Sequence, residues 1–274
     1  MITRFAPSPT GPLHLGHAYS ALYAHDMARA AGGTFLLRIE DIDQSRARPE
    51  WESQIYDDLA WLGLAWPTPV MRQSDRLPTY AAALDTLWTR GLLYPCSCNR
   101  RDILAAASAP QEGAAMGPDG IIYPGTCRGR PRTGPRPQDT ALRLDMRNAL
   151  QAVNSKKFFG MSPKHMLDDI GDVVLCRRDM GTSYHLSVVI DDAAQQITDV
   201  VRGADLREAT PIHVLLQHLL HIPTPAYHHH RLIRDDAGKR LAKRDDARAI
   251  ATYRADGATP ADIRRMVGLP PSSG

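Results

Sequence analysis

Two histidines, separated by a leucine and a glycine, stand at the start of a predicted helix. His14 and His17 lie in the stretch "RFAPSPTGPLHLGHAYSALYAH", whose residues 7–12 are rich in proline and glycine and predict a rigid loop. A helix N-terminus presents unpaired N–H groups and a partial positive charge, so it attracts phosphate. Imidazole donors at this place, with Gly16 permitting close approach of the backbone, predict a phosphate-binding site. A pair of histidines that only caps the helix is the alternative interpretation.

Three of the four cysteines lie close together along the chain. Cys96 and Cys98 stand in "YPCSCNR", and Cys127 stands in "YPGTCRG". Clustered thiols in a reducing compartment indicate a metal before a disulfide, and structural zinc prefers four ligands. We therefore expect a zinc site whose fourth ligand composition alone does not identify; three unrelated thiols are the alternative. Cys176 lies in an apolar, strand-like run, where an ordinary buried cysteine is expected.

Composition sets broad limits on the class of protein. The chain has 274 residues, 43% of them apolar, and its 33 basic and 30 acidic side chains give a formal net charge of +3. A mildly basic chain is compatible with a polyanionic partner but does not require one. The sequence has no apolar run of membrane-spanning length and no signal-peptide pattern. We expect a cytoplasmic protein with one large domain or two modest ones.

Strands and helices alternate around the histidine pair. "ITRFA" and "TFLLRIED" predict strands on either side of a helix over residues 15–31, and further helices are expected over residues 49–64 and 79–90. Strand–helix–strand units with short links are typical of a parallel, doubly wound sheet. After an irregular region, "DVVLCRR" and "LSVVIDD" are apolar runs, and "QITDVVRG" and "AYHHHRLIRD" predict strands. "TPIHVLLQHLLHI" predicts a helix with Thr210 as its N-cap.

Four segments together resemble a known family. They are "RFAPSPTGPLHLGHA", "LLRIEDID", "VVIDDAAQQITDVVRGADL" and "GKRLAKR", in this order over most of residues 3–246. The first is similar to the region of the HIGH motif in class I aminoacyl-tRNA synthetases, in their glutamyl/glutaminyl branch. The last stands where the KMSKS loop of that class is expected. The resemblance implies an α/β fold with a Rossmann-like, doubly wound parallel sheet.

The same resemblance suggests a division of the chain into four parts. We expect the first half of a catalytic domain over residues 1–93 and its second half, with the KMSKS-like loop, over residues 141–246. An inserted zinc-binding module is expected over residues 94–140, where helical periodicity is poor. A short helical segment without an anticodon-binding domain is expected over residues 247–274.

The resemblance implies that glutamate is activated by ATP, with magnesium. The amino-acid carboxylate attacks the α-phosphorus and gives glutamyl-AMP and pyrophosphate, so the protein supplies positioning and charge neutralisation rather than a nucleophile. Catalysis is assigned by the resemblance to His14, His17 and Lys243. ATP binding is assigned to these three residues together with Gly16 and Arg240.

A pocket for glutamate needs charges of both signs. By the family pattern, Arg4 and Arg202 are the expected carboxylate partners, since guanidinium can bind a carboxylate bidentately, and Glu40 faces the α-ammonium group. The further lining residues implied by the family are Phe5, Ala6, Pro7, Ser8 and Tyr184.

Structural interpretations of the same charged residues stay open. Glu40 suits a surface turn with Arg46, and Arg202 suits an ion pair with Asp199 or Asp205. Either interpretation takes the residue out of the glutamate site.

The basic loop departs from the family pattern. Arg240 occupies the first basic position, and Ala242 stands where the family has a serine. Arg240 keeps the charge, whereas Ala242 removes a hydroxyl that can orient the loop or contact phosphate. Because Lys243 remains, we expect slower turnover rather than its loss; a solvated turn of mixed charge is the alternative.

A narrower resemblance concerns the RNA that accepts glutamate. About thirty residues follow Lys243, too few for the anticodon-binding domain expected in a full glutamyl-tRNA synthetase. The chain thus resembles the stand-alone glutamyl-Q tRNA(Asp) synthetases, whose Cys-x-Cys and Tyr-x₃-Cys spacing implies Cys96, Cys98, Tyr123 and Cys127 as ligands of one structural zinc. The implied activity is tRNA-independent glutamate activation and transfer of glutamate to queuosine at the wobble position of tRNA(Asp), by a monomer.

Two other functions stay open at this point. One is a truncated or split glutamyl-tRNA synthetase that charges tRNA(Glu), and the other is a zinc-containing RNA-binding protein with weak catalysis. The arginines near the cysteines are candidate contacts to RNA phosphate: Arg128, Arg130, Arg132 and Arg136. The run His228–His230 is a poor chelator, because successive strand residues point to opposite faces; we expect it to line the site or to be structural.

Overall fold

The first strand, helix and second strand of the chain form a parallel β–α–β unit, as the sequence predicts. The computed structural model describes residues 1–107, 115–153, 158–233 and 248–271. β1 pairs in parallel with β2, with Arg4 opposite Leu36, and β3 pairs in parallel with the other edge of β2. The elements are β1 (Ile2–Phe5), α1 (Leu15–Ala30), β2 (Thr34–Ile39), α2 (Pro49–Trp61) and β3 (Met71–Arg72).

Two later strands extend this arrangement on the other side of β1. β9 (Asp199–Gly203) and β10 (Ala226–His230) pair in parallel, and the backbone N–H of Thr198 donates to Ile2 O at 3.0 Å. The spatial succession is therefore β10, β9, β1, β2, β3. The strand order reverses between β1 and β9, and in open α/β sheets ligands bind beyond the carboxyl ends of the strands at such a point.

Helices complete this first unit, which comprises residues 1–75, 195–207 and 225–274. On α1, Leu15, Tyr19 and Leu22 recur at helical spacing and are buried. After the undescribed segment, α9 (Ile250–Ala255) and α10 (Pro260–Met266) follow. The backbone N–H of Ile250 donates to Leu13 O at 2.8 Å, so the start of α9 lies beside the loop that precedes α1.

The second unit comprises residues 76–194 and 208–224 and contains an antiparallel sheet. The parallel-sheet prediction is thus wrong for its strands, which pair in the order β4, β7, β8. The elements are α3 (Leu77–Thr89), β4 (Leu93–Cys96), α4 (Arg100–Ala107), β5 (Met116–Gly117), β6 (Gly120–Ile121), β7 (Ala141–Leu144), α5 (Met146–Gln151), α6 (Pro163–His165), β8 (Val174–Cys176), α7 (Tyr184–Ala194) and α8 (Thr210–Leu220).

Two local details differ from the sequence pattern. The run "LSVVIDD" lies within helix α7, whose residues are buried on nearly all sides, so its apolar character does not reflect a strand. Thr210 is the first residue of α8 rather than its N-cap; the N-cap is Ala209, and Pro211 stands in the first turn as expected. The four-part division of the chain stays a prediction.

Among the described helices, none has both the length and the apolar character that crossing a membrane requires.

An acidic side chain of the first unit is buried with one oxygen lacking a hydrogen bond. Asp58, on α2, is 2% exposed, and its Oδ2 has no partner among the residues that the structure describes. Burial raises the pKa of this carboxyl to about 6, against the opposing effect of the Arg254 charge. The folded protein therefore binds this proton more tightly than the unfolded chain, and stability falls as the pH rises from about 4 through about 6.

We expect Asp58→Asn to raise the melting temperature at about pH 8 and to change it much less at about pH 4.5. The substitution removes a charge whose burial costs up to about 3 kcal/mol, since one pKa unit corresponds to about 1.4 kcal/mol. Thermal unfolding followed by circular dichroism measures both values. Asp57→Asn, at the exposed neighbouring position, is the matched control and should show a clearly smaller pH-dependent gain, because the Asp57 charge is a lesser cause of the raised Asp58 pKa than burial. An Asp58→Asn variant that is less stable than the wild type at the higher pH contradicts this assignment.

Candidate active site

The two histidines of "HLGH" make reciprocal hydrogen bonds at the start of α1. His14 is the N-cap, and its Nδ1 accepts from Gly16 N at 3.1 Å, while Nδ1 of His17 accepts from His14 N at 3.1 Å. The two ring centroids lie 3.8 Å apart. A Cβ at Gly16 would lie 2.9 Å from Cε1 of His14, so only glycine leaves room for this ring. The helix-cap interpretation of the sequence is therefore correct, but capping alone does not decide whether the rings also contact phosphate.

These hydrogen bonds also fix which nitrogen of each ring can donate. A ring nitrogen that accepts from a backbone N–H carries no proton, so a neutral His14 or His17 has its proton on Nε2. The cap uses Nδ1, and Nε2–H is the donor group of each ring. Capping the helix and donating to phosphate are thus compatible functions of the same side chains.

Charged residues of the predicted glutamate site lie at the carboxyl ends of adjacent parallel strands. Arg4 lies near the end of β1, Arg202 near the end of β9, and Glu40 directly after β2. Both arginines are 5% exposed. Nη1 of Arg4 donates to Val201 O at 3.3 Å, and the backbone N–H of Glu40 donates to Pro7 O at 3.0 Å. The sheet topology therefore brings these three residues to one edge.

A buried arginine that the sequence analysis missed contacts Glu40. Arg38 is fully buried on β2, and its Nη2 lies 3.0 Å from Glu40 Oε1. Its Nη1 donates to Gln195 Oε1 at 2.9 Å. An arginine within the apolar strand "TFLLRI" was the available signal, since a buried charge requires polar partners. Arg46, the partner expected for Glu40 in a surface turn, pairs with Asp43.

Arg202 makes contacts with the strand next to its own. Its Nε donates to Nε2 of His229 at 3.4 Å, and its guanidinium carbon lies 5.0 Å from the ring centroid of Tyr227. Asp199, one of the two expected ion-pair partners, lies 2.8 Å from Nε2 of His228.

The remaining predicted glutamate-site residues have different positions. Phe5 packs in the apolar core of the first unit, so its side chain cannot line a polar pocket, and only its backbone is available. Pro7 is buried, and Ala6 and Ser8 are partly buried in the loop after β1. Tyr184 begins α7 in the second unit, where its ring lies 5.6 Å from that of His185.

The expected basic loop falls in a part of the chain that the structure does not describe. Arg240, Ala242 and Lys243 lie outside the described residues, so their assignments stay predictions. The described chain resumes at Arg248, and Ala249 forms an antiparallel bridge with His14.

The three clustered cysteines meet in the second unit. The Sγ atoms of Cys96, Cys98 and Cys127 all lie within 4.8 Å of one another. The hydroxyl oxygen of Tyr123 lies 3.5 Å from Sγ of Cys96 and 3.3 Å from Sγ of Cys98. Zinc–sulfur bonds of about 2.3 Å and a zinc–oxygen bond of about 2.0 Å place tetrahedral ligands about 3.5–3.8 Å apart. This donor set therefore fits a zinc ion.

The environments of the clustered thiols differ: burial raises the pKa of Cys98, whereas that of Cys127 is lowered. Burial alone would raise the pKa of Cys127, but hydrogen bonds from Tyr123 and the backbone of Ser97 outweigh it and lower this pKa to about 7. Nε of the buried Arg143 donates to Sγ of Cys96 at 3.3 Å, and its guanidinium carbon lies 3.8 Å from the ring centroid of Tyr123. Its positive charge partly balances that of the thiolates, which are the form that binds metal.

The fourth cysteine is not a member of this group. Cys176 lies on β8, away from the three clustered thiols, and burial raises its pKa. The expectation of an ordinary buried cysteine agrees with this environment.

Arginines near the cysteines are engaged with protein groups. Nε of Arg128 lies 2.7 Å from the buried Asp172, and Nε of Arg136 lies 2.6 Å from Asp85. Arg132 pairs with Asp145. These three side chains therefore support the fold, and their contact with RNA stays a prediction. Arg130 is exposed, and its Nη2 donates to Ser97 Oγ at 2.7 Å.

Comparison with known proteins identifies the class. Residues 1–270 match the family model of tRNA synthetases class I (E and Q), catalytic domain. The chain belongs to this family of class I synthetases, as the motif resemblance predicted, and enzymes of this class use ATP.

Individual relatives point to one group of synthetases within this family. The chain is 66% identical to a glutamyl-Q tRNA(Asp) synthetase of Rhodobacter capsulatus, over 98% of this chain and 100% of that protein. It is 42% identical to a protein of the same name in Geobacter sulfurreducens, over 93% of this chain and 79% of that protein. The predicted resemblance to this group of synthetases is therefore confirmed.

Solved structures agree on the fold. A glutamate tRNA ligase from Elizabethkingia meningosepticum has a TM-score of 0.76 and 28% identity, over 98% of this chain. The present chain spans 60% of the length of that ligase. A methionyl-tRNA synthetase from Mycobacterium tuberculosis, with a TM-score of 0.60 and 10% identity, shares the fold alone.

We expect Cys98→Ser to lose most of the bound zinc and to lower the melting temperature. The substitution removes one of the four candidate ligands, and metal binding to a structural site contributes directly to folding free energy. Atomic absorption after gel filtration measures the zinc content per chain. Cys176→Ser, at a buried thiol outside the cluster, is the control and should keep its zinc. Unchanged zinc content in Cys98→Ser would refute the site.

Proposed function

We propose that this protein activates glutamate with ATP and transfers the glutamyl group to queuosine at the wobble position of tRNA(Asp). The observation that carries the proposal is the 66% identity to a glutamyl-Q tRNA(Asp) synthetase, because the match covers that relative over 100% of its length. The charged groups at the carboxyl edge of the parallel sheet support the same activity.

In the first step, an oxygen of the glutamate α-carboxylate attacks the α-phosphorus of ATP. The bond from this phosphorus to the oxygen that bridges to the β-phosphate breaks, and pyrophosphate leaves with the electron pair. Nε2–H of His14 and of His17 donate to phosphate oxygens whose charge increases in the transition state. Lys243 and Arg240 add positive charge, and magnesium accompanies ATP as a substrate complex.

Glutamate is positioned by charges of both signs. Arg4 and Arg202 bind carboxylate oxygens of the substrate, and Glu40 accepts hydrogen bonds from its α-ammonium group. Arg38 pairs with Glu40, which fixes the orientation of this carboxylate. The backbone of residues 5–8 completes the lining, and Tyr184 stays a prediction from the family resemblance.

In the second step, a hydroxyl of the cyclopentene-diol of queuosine attacks the carbonyl carbon of glutamyl-AMP. An ester forms, AMP leaves, and the hydroxyl proton passes to the phosphate or to solvent. Cys96, Cys98, Tyr123 and Cys127 would hold a zinc ion, which would stabilise the module between β4 and β7. Neither step uses these residues.

We expect glutamate-dependent exchange of labelled pyrophosphate into ATP without any tRNA, because the proposed site is complete without RNA. Labelled glutamate should then pass to tRNA(Asp) that contains queuosine and not to tRNA(Asp) from cells that lack it. Removal of the 3′-terminal adenosine should leave this labelling intact, since the proposed acceptor is in the anticodon.

Other outcomes point to the rival functions. Exchange that requires tRNA, with labelling of tRNA(Glu) at its 3′ end, would support a glutamyl-tRNA synthetase. RNA binding with no exchange under any condition would support a binding protein. Equal labelling of tRNA(Asp) with and without queuosine overturns the proposed acceptor.

Substitutions of His14 can separate its function as the cap of α1 from its proposed contact with phosphate. We expect His14→Asn to keep the melting temperature near that of the wild type, because asparagine is a good N-cap, and to slow pyrophosphate exchange roughly 100-fold, because the Nε2–H donor is lost. His14→Ala should show the same slow exchange together with a loss of about 1 kcal/mol of stability. Wild-type exchange in His14→Asn would leave His14 with the cap alone.

A further inference from the structure

A buried arginine covers one face of Tyr123, the rarest type of ligand in the candidate zinc site. Arg143 lies on β7 and is 8% exposed, and its guanidinium carbon lies 3.8 Å from the ring centroid of Tyr123. A guanidinium this close to an aromatic face is attracted to it, and more strongly where water is excluded. Since Tyr123 is 4% exposed, the contact restricts both side chains in a largely desolvated environment.

The register of β4 and β7 explains why this arginine reaches the cysteine cluster. Arg143 lies opposite Tyr94, and Cys96 lies opposite Ala141. Residues two apart on a strand share a face, so Arg143 and Cys96 are diagonal neighbours on one face of the antiparallel pair. Nε of Arg143 donates to Sγ of Cys96 at 3.3 Å. One guanidinium therefore contacts two of the four candidate ligands.

The acidic residue beside Arg143 contacts it through the backbone. Nη1 of Arg143 donates to the carbonyl oxygen of Asp172 at 2.8 Å, whereas the Asp172 carboxylate accepts from Tyr94, Arg128 and the backbone N–H of Met146. Within the described part of the chain, Arg143 forms no ion pair with a carboxylate. The thiol of Cys96 and the ring of Tyr123 are therefore the groups of the cluster that this buried charge faces directly.

The contact with Arg143 leaves the hydroxyl oxygen of Tyr123 to the cluster. The guanidinium lies over the ring face, and the oxygen accepts from the backbone N–H of Cys127 at 2.9 Å and lies 3.3 Å from Sγ of Cys98. A phenol oxygen that accepts one hydrogen bond still has an electron pair for a metal ion. The ring is thus held from its face while its oxygen points toward the thiols.

Zinc would make this set of ligands strongly negative. Cysteine ligands bind the metal as thiolates, and three thiolates already outweigh the charge of a divalent ion. A tyrosine oxygen that binds zinc without its proton adds a further negative charge. A buried site with excess charge of one sign is costly unless a charge of the opposite sign lies next to it.

We propose that Arg143 is the positioning residue that enables Tyr123 to act as the fourth zinc ligand. Its guanidinium holds the ring against the three thiols and compensates the excess negative charge of the loaded site. The inference rests on the zinc site of the proposed function. It goes beyond that site because it assigns retention of the metal to a side chain that does not bind the metal.

The test measures how fast zinc leaves the purified full-length protein. Atomic absorption gives the zinc content per chain, and transfer of zinc to an excess of the chromogenic chelator zincon gives the release rate. We expect Arg143→Gln to release zinc roughly 10- to 100-fold faster than the wild type, the usual cost of losing a residue that supports metal ligands. Arg143→Lys keeps the charge but not the planar stack, so its rate should lie between the two.

Arg132→Gln is the matched control. Arg132 belongs to the same unit, its guanidinium carbon lies 5.6 Å from the ring centroid of Tyr94, and it pairs with Asp145. Within the residues that the structure describes, it makes no hydrogen bond, ion pair or ring contact with a candidate zinc ligand. Its loss should lower the melting temperature and leave zinc release at the wild-type rate.

A combined substitution tests the part of the proposal that concerns Tyr123. Tyr123→Phe keeps the ring face and removes the oxygen ligand. In this background, Arg143→Gln should accelerate zinc release by a clearly smaller factor than in the wild type, because the two substitutions affect the same ligand. Equal factors in both backgrounds would show that Arg143 does not act through the oxygen of Tyr123, and would overturn the proposal.

Other results also overturn it. Zinc release at the wild-type rate in Arg143→Gln excludes any effect of the arginine on the metal. Equal acceleration in Arg143→Gln and Arg132→Gln would indicate general loosening of the unit, and equal rates in Arg143→Gln and Arg143→Lys would show that the charge has no effect. Where circular dichroism shows that Arg143→Gln is unfolded, Arg143→Lys carries the test, and a wild-type release rate in that variant overturns the proposal.

The zinc content of the wild type separates this inference from the proposed function. A wild-type protein that contains no zinc and takes up none would overturn the zinc site itself, before any variant is compared. Stoichiometric zinc in the wild type, together with unchanged release in Arg143→Gln, would overturn the function of Arg143 alone. Neither result depends on the identity of the amino acid or of the RNA.

Discussion

The burial of positive charge at the carboxyl edge of the parallel sheet is the constraint on which the candidate site depends. Arg4, Arg38 and Arg202 are 5%, 0% and 5% exposed, and an ion taken out of water costs several kcal/mol unless polar groups surround it. The partners come from different parts of the chain. Arg4 donates to the carbonyl of Val201, and Arg202 donates to His229. Arg38 donates to the side chains of Gln195 and Glu40. Val201 and His229 lie on strands adjacent to those of their arginines, Glu40 directly follows β2, and Gln195 directly follows α7. The positions of these partners, and so the chemistry of the site, therefore depend largely on the sheet register. A shift of one residue in β9 or β10 would turn these side chains to the other face.

In the second unit a buried carboxylate has the same need of polar partners. Asp172 is 1% exposed and accepts from Tyr94 Oη at 2.5 Å, from Arg128 Nε at 2.7 Å and from Met146 N at 3.0 Å. Arg128 follows Cys127 directly, so this carboxylate connects the cysteine cluster to β4 and to the start of α5. A buried carboxylate with this many donors is satisfied, and removing one partner would leave part of its charge uncompensated. The arginines around the cysteines therefore have a structural explanation that does not involve RNA.

Features that depend on local spacing could be predicted from the sequence, whereas features that depend on distant partners could not. The β1–α1–β2 unit, the "HLGH" helix start and the three-cysteine cluster each follow from residues close together along the chain. The pairing of Arg128 with Asp172 joins residues 44 apart, and the antiparallel sheet of β4, β7 and β8 joins segments separated by the irregular region. "LSVVIDD" shows a third cause: a short apolar run does not distinguish a strand from a buried helix. Arg38 did carry a signal, since an arginine within an apolar strand requires a buried partner.

Histidines of the first unit use one ring nitrogen as a hydrogen-bond acceptor, which determines where the neutral ring carries its proton. In His14 and His17, one ring nitrogen accepts from the backbone, so the other nitrogen of the neutral ring carries the proton. In His229 the nitrogen assignment is reversed, because an arginine rather than the backbone supplies the hydrogen bond and it does so at Nε2. The tautomer of each imidazole is therefore set by a neighbour fixed by secondary structure: the N-terminus of α1 in one case and the β9–β10 register in the other. It follows that "HLGH" presents donors suited to phosphate, and "HHH" presents an acceptor suited to a guanidinium, although both motifs consist of the same side chain.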